Sequence, residues 1–127
     1  MDSIDRKKRD LKLGRFAEDK AAEFYIKEGY AVLERNWFLN KTEIDLIVQK
    51  GNIIAFVEVK ARSGDDEDAV NAVSRDKMKR MIRASDSYIR SMTGEFEYRF
   101  DIIAFTGDFD NFSLEVFEDA FITSDIL

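Results

Sequence analysis

A chain of 127 residues amounts to one domain, long enough to bury roughly two-thirds of its unfolded surface without cross-links. It contains no Cys and no His, which excludes disulfides, thiolate metal sites and histidine as ligand or general base, so any catalysis must run on carboxylates, lysine or hydroxyls. A net charge of −6 argues at first against a polyanionic partner, but residues 107–127 hold six acidic residues and no basic one, leaving 20 charges of each sign on residues 1–106.

The start, MDSIDRKKRDLKLG, is charged and has no apolar core like that of a signal peptide. The longest purely apolar run, Ile53 to Val57, is far too short for a membrane span, so a cytoplasmic protein without a membrane partner is expected. Residues 1–11 read as a basic arm carrying Arg6, Lys7, Lys8 and Arg9. From Lys12 to Glu28 the residues Leu13, Phe16, Ala17, Ala21, Phe24 and Tyr25 recur at helical spacing, and Gly29 follows where a helix-ending glycine belongs. Strand-like segments come next, over Tyr30 to Arg35, Glu43 to Gln49 and Ile53 to Ala61, with Gly51 and Asn52 as a two-residue hairpin turn between the last two. SGDDED, residues 63–68, reads as an acidic loop. Ser74 can cap a second helix reaching about Ser91, with Asp76 favourably placed in its first turn and Met81, Ala84, Ser85 and Tyr88 as its inner stripe. That stripe, extended back one turn, arrives at Lys77. Glu97 to Thr106 reads as a buried strand and Phe112 to Phe117 as an edge strand, inside an acidic extension over residues 107–127.

The order is α-β-β-β-α-β-β, with no repeat, proline or linker to divide the chain. One α/β domain over residues 1–127, a mixed sheet flanked by helices, is the simplest architecture. A helix that returns a hairpin to a further strand implies a right-handed crossover if those two strands lie parallel.

The hairpin carries the chemistry. Residues two apart share a face of a strand, which groups Glu43, Asp45 and Ile47 on one strand and Ile54, Phe56, Glu58 and Lys60 on the next. With Gly51 and Asn52 as the turn, Lys50 pairs with Ile53, Asp45 stands opposite Glu58, and Glu43 stands opposite Lys60. Two carboxylates about 5 Å apart repel by about 3 kcal/mol at an effective dielectric near 20. A divalent cation, Mg²⁺ or Mn²⁺, is the natural compensation, held by Asp45, Glu58 and the backbone carbonyl of Val59. Lys60, on the same face as Glu58, is then placed to orient an attacking water or stabilise phosphoryl charge.

The competing reading is ordinary cross-strand salt bridges, such as Glu43 with Lys60, beside a solvent-facing Asp45. Acid, any residue, lysine occurs four times, at Asp5 with Lys7, Asp10 with Lys12, Glu18 with Lys20, and Glu58 with Lys60, and only the last sits on an expected strand facing another acid.

An Asp on one strand followed by Glu-Val-Lys on the next resembles the PD-(D/E)xK nuclease superfamily. More closely, LGRFAEDKAAEFYIKEGYAVLERNWF, EIDLIV, IAFVEVKAR, the lysine-bearing helix and RFDIIAF, over residues 13 to about 106, resemble the YraN-like bacterial family of predicted endonucleases, related to archaeal Holliday junction resolvases. The resemblance implies a restriction-endonuclease-like fold, with Asp45, Glu58 and Lys60 as the catalytic pattern and Glu18 completing the acidic cluster from the first helix. It further implies a metal-dependent endonuclease acting on DNA, branched DNA included, and a homodimer, since two symmetric cuts need two sites. Ile44 stands where the superfamily has its proline, Thr42 where a glycine is expected before EIDLI, and Phe38 where a basic residue is expected. None of the three is one of the assigned ligands.

Around this core, Arg35, Trp37, Arg62 and Lys77 are candidates for contact with nucleic acid, Trp37 by stacking on a base. Each has a plainer alternative: Trp37 can cap the core and Lys77 can snorkel to water. Asp101 is expected to pair with Arg99 or Arg62 rather than to act in a reaction. Phe109, Phe112, Phe117 and Phe121 are expected to cover a sheet edge or form a dimer interface. Two functional classes remain beside the nuclease: a nucleic-acid-binding module without cleavage, and an acidic domain that recruits a protein through its tail.

Overall fold

The computed structural model describes residues 2 to 62 and 73 to 121. Along it lie α1 (Ser3–Lys27), β1 (Ala31–Leu39), β2 (Thr42–Lys50), β3 (Ile53–Arg62), α2 (Arg75–Arg90), β4 (Glu97–Asp108) and β5 (Asn111–Phe117), in the order expected from the sequence. The five strands form one sheet in chain order. β3 and β4 run parallel, with α2 between them in the chain, and every other pair of neighbours is antiparallel. No described helix is long and apolar enough to cross a membrane.

Each face of the sheet carries one helix. On one, Ala17, Ala21, Ala22 and Tyr25 of α1 pack on Leu46, Val48, Ala55, Val57, Ile103 and Phe105. On the other, Met78, Met81, Ile82 and Ala84 of α2 pack on Ile44, Ile47, Ile54, Phe56, Phe100 and Ile102. Strand β3 alternates cleanly between them, Ile54 and Phe56 toward α2, Ala55 and Val57 toward α1, and burial on both sides is why it reads as one apolar run. Phe56 is fully buried, and truncating it to Ala would cost about 3–5 kcal/mol.

The turn between β2 and β3 has the expected two residues, and Lys50 pairs with Ile53. Gly51 alone of the two takes a positive φ, 61°, as a hairpin turn with glycine at its first central position requires. The end of β4 needs its glycine more strictly: at Gly107, φ 119°, a Cβ would lie 2.3 Å from the Asn111 carbonyl oxygen.

Several boundaries differ from expectation. Strand β1 runs to Leu39 instead of ending at Arg35, because its pairing with β2 resumes past Asn36. The basic arm is helix, since α1 begins at Ser3 under a cap in which the Asp2 side chain accepts the Asp5 N–H at 2.9 Å. Hydrophobic periodicity could not reveal these turns because Ile4 and Leu11 are exposed; Arg9 is instead ion-paired to Asp108 at the end of β4. The acidic extension, for its part, belongs to the body as far as Phe121. β5 pairs with β4 along its length, Phe112 stacks on Phe105 at 5.1 Å, and the buried Phe121 stacks on Phe100 at 4.6 Å. Phe112 and Phe121 therefore cover the two faces of the sheet, not an edge as expected. The acidic loop expected at residues 63–68 lies outside the described residues.

Candidate functional site

Strands β2 and β3 pair in the expected register from Lys50–Ile53 to Leu46–Val57, and there the ladder stops. Asp45 and Glu58 are thus not a ladder pair, nor are Glu43 and Lys60. Beyond Leu46 the Asp45 carboxylate accepts the Val59 N–H at 2.8 Å, so a side chain takes the donor that the β2 backbone would otherwise engage. Repulsion between the acids explains why the ladder yields here.

A second irregularity adjoins the first. In a regular strand Ile44 and Leu46 would share a face, but Ile44 packs with α2 and Leu46 with α1. The alternation slips at Asp45, so the face expected to hold Glu43, Asp45 and Ile47 together is not continuous. On β1 the matching position is Asn36: Arg35 pairs with Leu46 and Trp37 with Ile44, and Asn36 between them sits at φ 49°. Asparagine is among the residues that tolerate this left-handed region. Its Nδ2 donates to Glu18 Oε1 and to Glu43 Oε1, each at 3.0 Å.

The result is an acidic cluster where β2 and β3 part. Carboxylate oxygens of Glu18, Glu43 and Asp45 lie within 4.8 Å of one another. Glu58, on β3, stands beside this trio, outside the 4.8 Å group but near enough to act on the Asp45 charge, with Lys60 Nζ 3.8 Å from its Oε1 and Lys77 Nζ 3.7 Å from its Oε2. Lys77 also donates to the Glu43 carbonyl at 3.4 Å, which fixes it on the site rather than in solvent. Four carboxylates thus face two lysines.

Asp45 and Glu58 are buried, and their titration reflects it. Loss of water, followed by the neighbouring Glu58 charge, pushes Asp45 up to about 8, against the downward pull of the Val59 N–H. Glu58 is likewise raised by burial, with Lys77 and Lys60 opposing. Glu58 Oε2 has no hydrogen-bond partner among the described residues. An oxygen-only donor set, more carboxylates than lysines and a buried carboxylate oxygen without a hydrogen bond suit a hard divalent cation, so the residues present fit Mg²⁺ or Mn²⁺.

The structure therefore brings together Asp45, Glu58, Lys60, Glu18 and Lys77. Val59 enters through its N–H, whereas its carbonyl was the group expected to participate. Arg35 is turned to α1, where it pairs with Asp19 at 2.6 Å. Trp37 caps the core, packed edge-on against Tyr88 at 5.1 Å. Arg62 ends β3, and its side chain lies outside the described ones. Asp101 is structural: fully buried, it accepts from Tyr25 Oη at 2.8 Å, from Arg99 at 3.0 and 3.1 Å, and from the Asp119 N–H at 3.0 Å. Two residues not assigned to the site from the sequence belong to it. Glu43, expected only as a cross-strand partner of Lys60, adds a carboxylate, and Asn36, just past the strand expected to end at Arg35, holds two of the acids. Phe38, 59% exposed, pairs across with Glu43, so an apolar ring flanks the acids.

Fold and site together define an α/β protein whose five-stranded mixed sheet opens, at one end, into a carboxylate and lysine cluster suited to a divalent cation. The chain belongs to the uncharacterised protein family UPF0102, whose family model matches residues 17–105 and so takes in Glu18, Asp45, Glu58, Lys60 and Lys77. It is 44% identical over 113 residues to a UPF0102 protein of Flavobacterium psychrophilum, covering 86% of this chain and 92% of the relative. A UPF0102 protein of Flavobacterium johnsoniae is 40% identical over 114 residues, covering 86% and 93%, and one of Phocaeicola vulgatus is 36% identical over 112 residues, covering 85% and 90%.

Proposed function

We propose that this protein is a metal-dependent endonuclease that hydrolyses phosphodiester bonds of DNA, and that it belongs to the PD-(D/E)xK superfamily. The observation that carries the reading is the convergence of Asp45, Glu58 and Lys60 at the point where β2 and β3 separate, with Glu18 supplied by α1. An interior salt-bridge cluster would be expected to match its groups one to one; this one sets four carboxylates against two lysines and leaves a buried Glu58 oxygen without a hydrogen bond.

Asp45 and Glu58, with Glu43 and Glu18 beside them, would hold Mg²⁺ or Mn²⁺. When bound, the ion supplies Lewis acidity and a more acidic water. The chain's own groups do the rest. The Val59 N–H holds the Asp45 carboxylate in one orientation, and Asn36 does the same for Glu18 and Glu43. Lys60 positions the attacking water and stabilises charge on the phosphoryl oxygens as the new P–O bond forms, the opposite one breaks and the leaving oxygen takes a proton. Lys77 favours the charged form of Glu58 against the upward push of burial.

The experiment that tests the metal half of this reading is a titration of Mg²⁺ or Mn²⁺ against thermal stability in wild type and Asp45→Asn. Binding stabilises the wild type in proportion to the logarithm of metal concentration and leaves the variant unmoved. An unresponsive wild type contradicts the proposal.

A further inference from the structure

A cleft of about 360 Å³ lies between the β1–β2 turn and α2, next to the site. Its floor is apolar, Leu39 and Ala84, and three of its lining residues are cations, Lys41, Arg80 and Arg83, with no acid among those that line it. In a chain of net charge −6, that is a local reversal of sign. Several other basic side chains are held in ion pairs: Arg9 by Asp108, Arg35 by Asp19, Arg90 by Asp86, Arg99 by Asp101. Lys41, Arg80 and Arg83 take part in no ion pair among the described residues.

The cleft is continuous with the site. Lys77, which touches Glu58 and the Glu43 carbonyl, is followed along α2 at three-residue steps by Arg80 and Arg83, a spacing that places successive side chains on adjoining turns. From the other side, Thr42 lines the cleft and is the neighbour of Glu43. From Lys77 to Arg83 the helix axis advances about 9 Å, equivalent to two or three nucleotides of a strand at about 3.4 Å each.

We infer that this cleft is the track for the phosphate backbone of a nucleic acid strand as it leaves the site. Arg80 and Arg83 each grip a phosphate with a planar guanidinium, Lys41 closes the track from the β1–β2 turn, and the sugars lie over Leu39 and Ala84. The inference rests on the proposed reading of the site, yet it assigns binding to residues outside the acidic cluster and so can fail separately from it.

The test is fluorescence anisotropy of a labelled DNA duplex and a labelled four-way junction at low salt, in EDTA and in Ca²⁺. Wild type is compared with K41Q/R80Q/R83Q and with R6Q/K8Q, which removes charge from the far end of α1. The triple variant should bind at least about tenfold more weakly, with the slope of log affinity against log salt reduced by about two to three, while R6Q/K8Q follows the wild type. Its thermal response to Mg²⁺ should equal the wild type's, which shows that the acidic site is intact. Equal binding by the triple variant and wild type overturns the inference even if the protein cuts DNA. Binding to polyglutamate with none to DNA overturns it in favour of an acidic protein partner. A wild type that binds DNA through these residues without cutting it leaves the track in place and defeats the nuclease reading alone.

Discussion

The Asp45 carboxylate accepts the Val59 N–H at 2.8 Å, at the point where the β2–β3 ladder ends. One hydrogen bond thus ends strand pairing and fixes a metal-competent carboxylate. Asp45 is nonetheless ionised at a cost, because burial and the nearby Glu58 oppose its charge more than this bond favours it.

In Asp45→Asn the amide oxygen can still accept from Val59 while the charge is gone. Without metal, this variant should be more stable than wild type at pH 8 by about 1 kcal/mol or more, read from urea unfolding midpoints at unchanged slope. A destabilised variant would mean that Asp45 contributes its charge to the fold.

The same shift sets a pH dependence. The folded protein holds a proton on Asp45 up to about 8, whereas the unfolded chain releases it near 3.8, so between those values the folded state binds more protons. Stability of the metal-free protein should therefore fall as pH rises from about 5 to about 8 and level off above. Saturating Mg²⁺ should flatten the profile, since the ion competes with the proton. Thermal melts across that range check both statements.

Glu58 depends on its lysines. Lys77→Met removes the cation nearest its unsatisfied oxygen and should cost about 1–3 kcal/mol near neutral pH. Adding Glu58→Gln should return most of that loss, a coupling that a double-mutant cycle measures directly. Additive effects would show that the pair does not interact.

Asp101 anchors the far side of the sheet, tying α1 through Tyr25 to β4 through Arg99. Asp101→Ala leaves Arg99 without its main partner and should cost about 3–5 kcal/mol in chemical denaturation. The response of the folded fraction to Mg²⁺ should persist, because this network is separate from the acidic site.

What the sequence makes legible follows from how regular each feature is. Ser74 does cap α2, and the stripe Met81, Ala84, Ser85 reaches back to Lys77, because a 3.6-residue period leaves a visible trace. The Gly51–Asn52 turn fixed the register of five pairs. The first three turns of α1 left no trace, since a helix held by a cap and by charged side chains has no apolar stripe to read. At the site, two-residue periodicity carries the reading to Leu46 and fails at Asp45, where Asn36 and Asp45 break the alternation on adjacent strands. Glu43 was therefore matched with Lys60 in sequence terms and is found instead among the acids. Pattern reasoning assumes a regular sheet, and the sheet is least regular where the charges gather.

The central claim, hydrolysis at Asp45, Glu58 and Lys60, is tested most directly by incubating labelled linear duplex, single-stranded and four-way-junction DNA with wild type, Asp45→Asn and Lys60→Ala, with Mg²⁺, with Mn²⁺ and with EDTA. The account predicts metal-dependent cutting by the wild type of at least one of these substrates, none in EDTA, and a loss of about 10²-fold or more in both variants, with Lys60→Ala still stabilised by metal. Cutting that survives both substitutions, or a wild type that binds metal and DNA and cleaves none of the three, would contradict it.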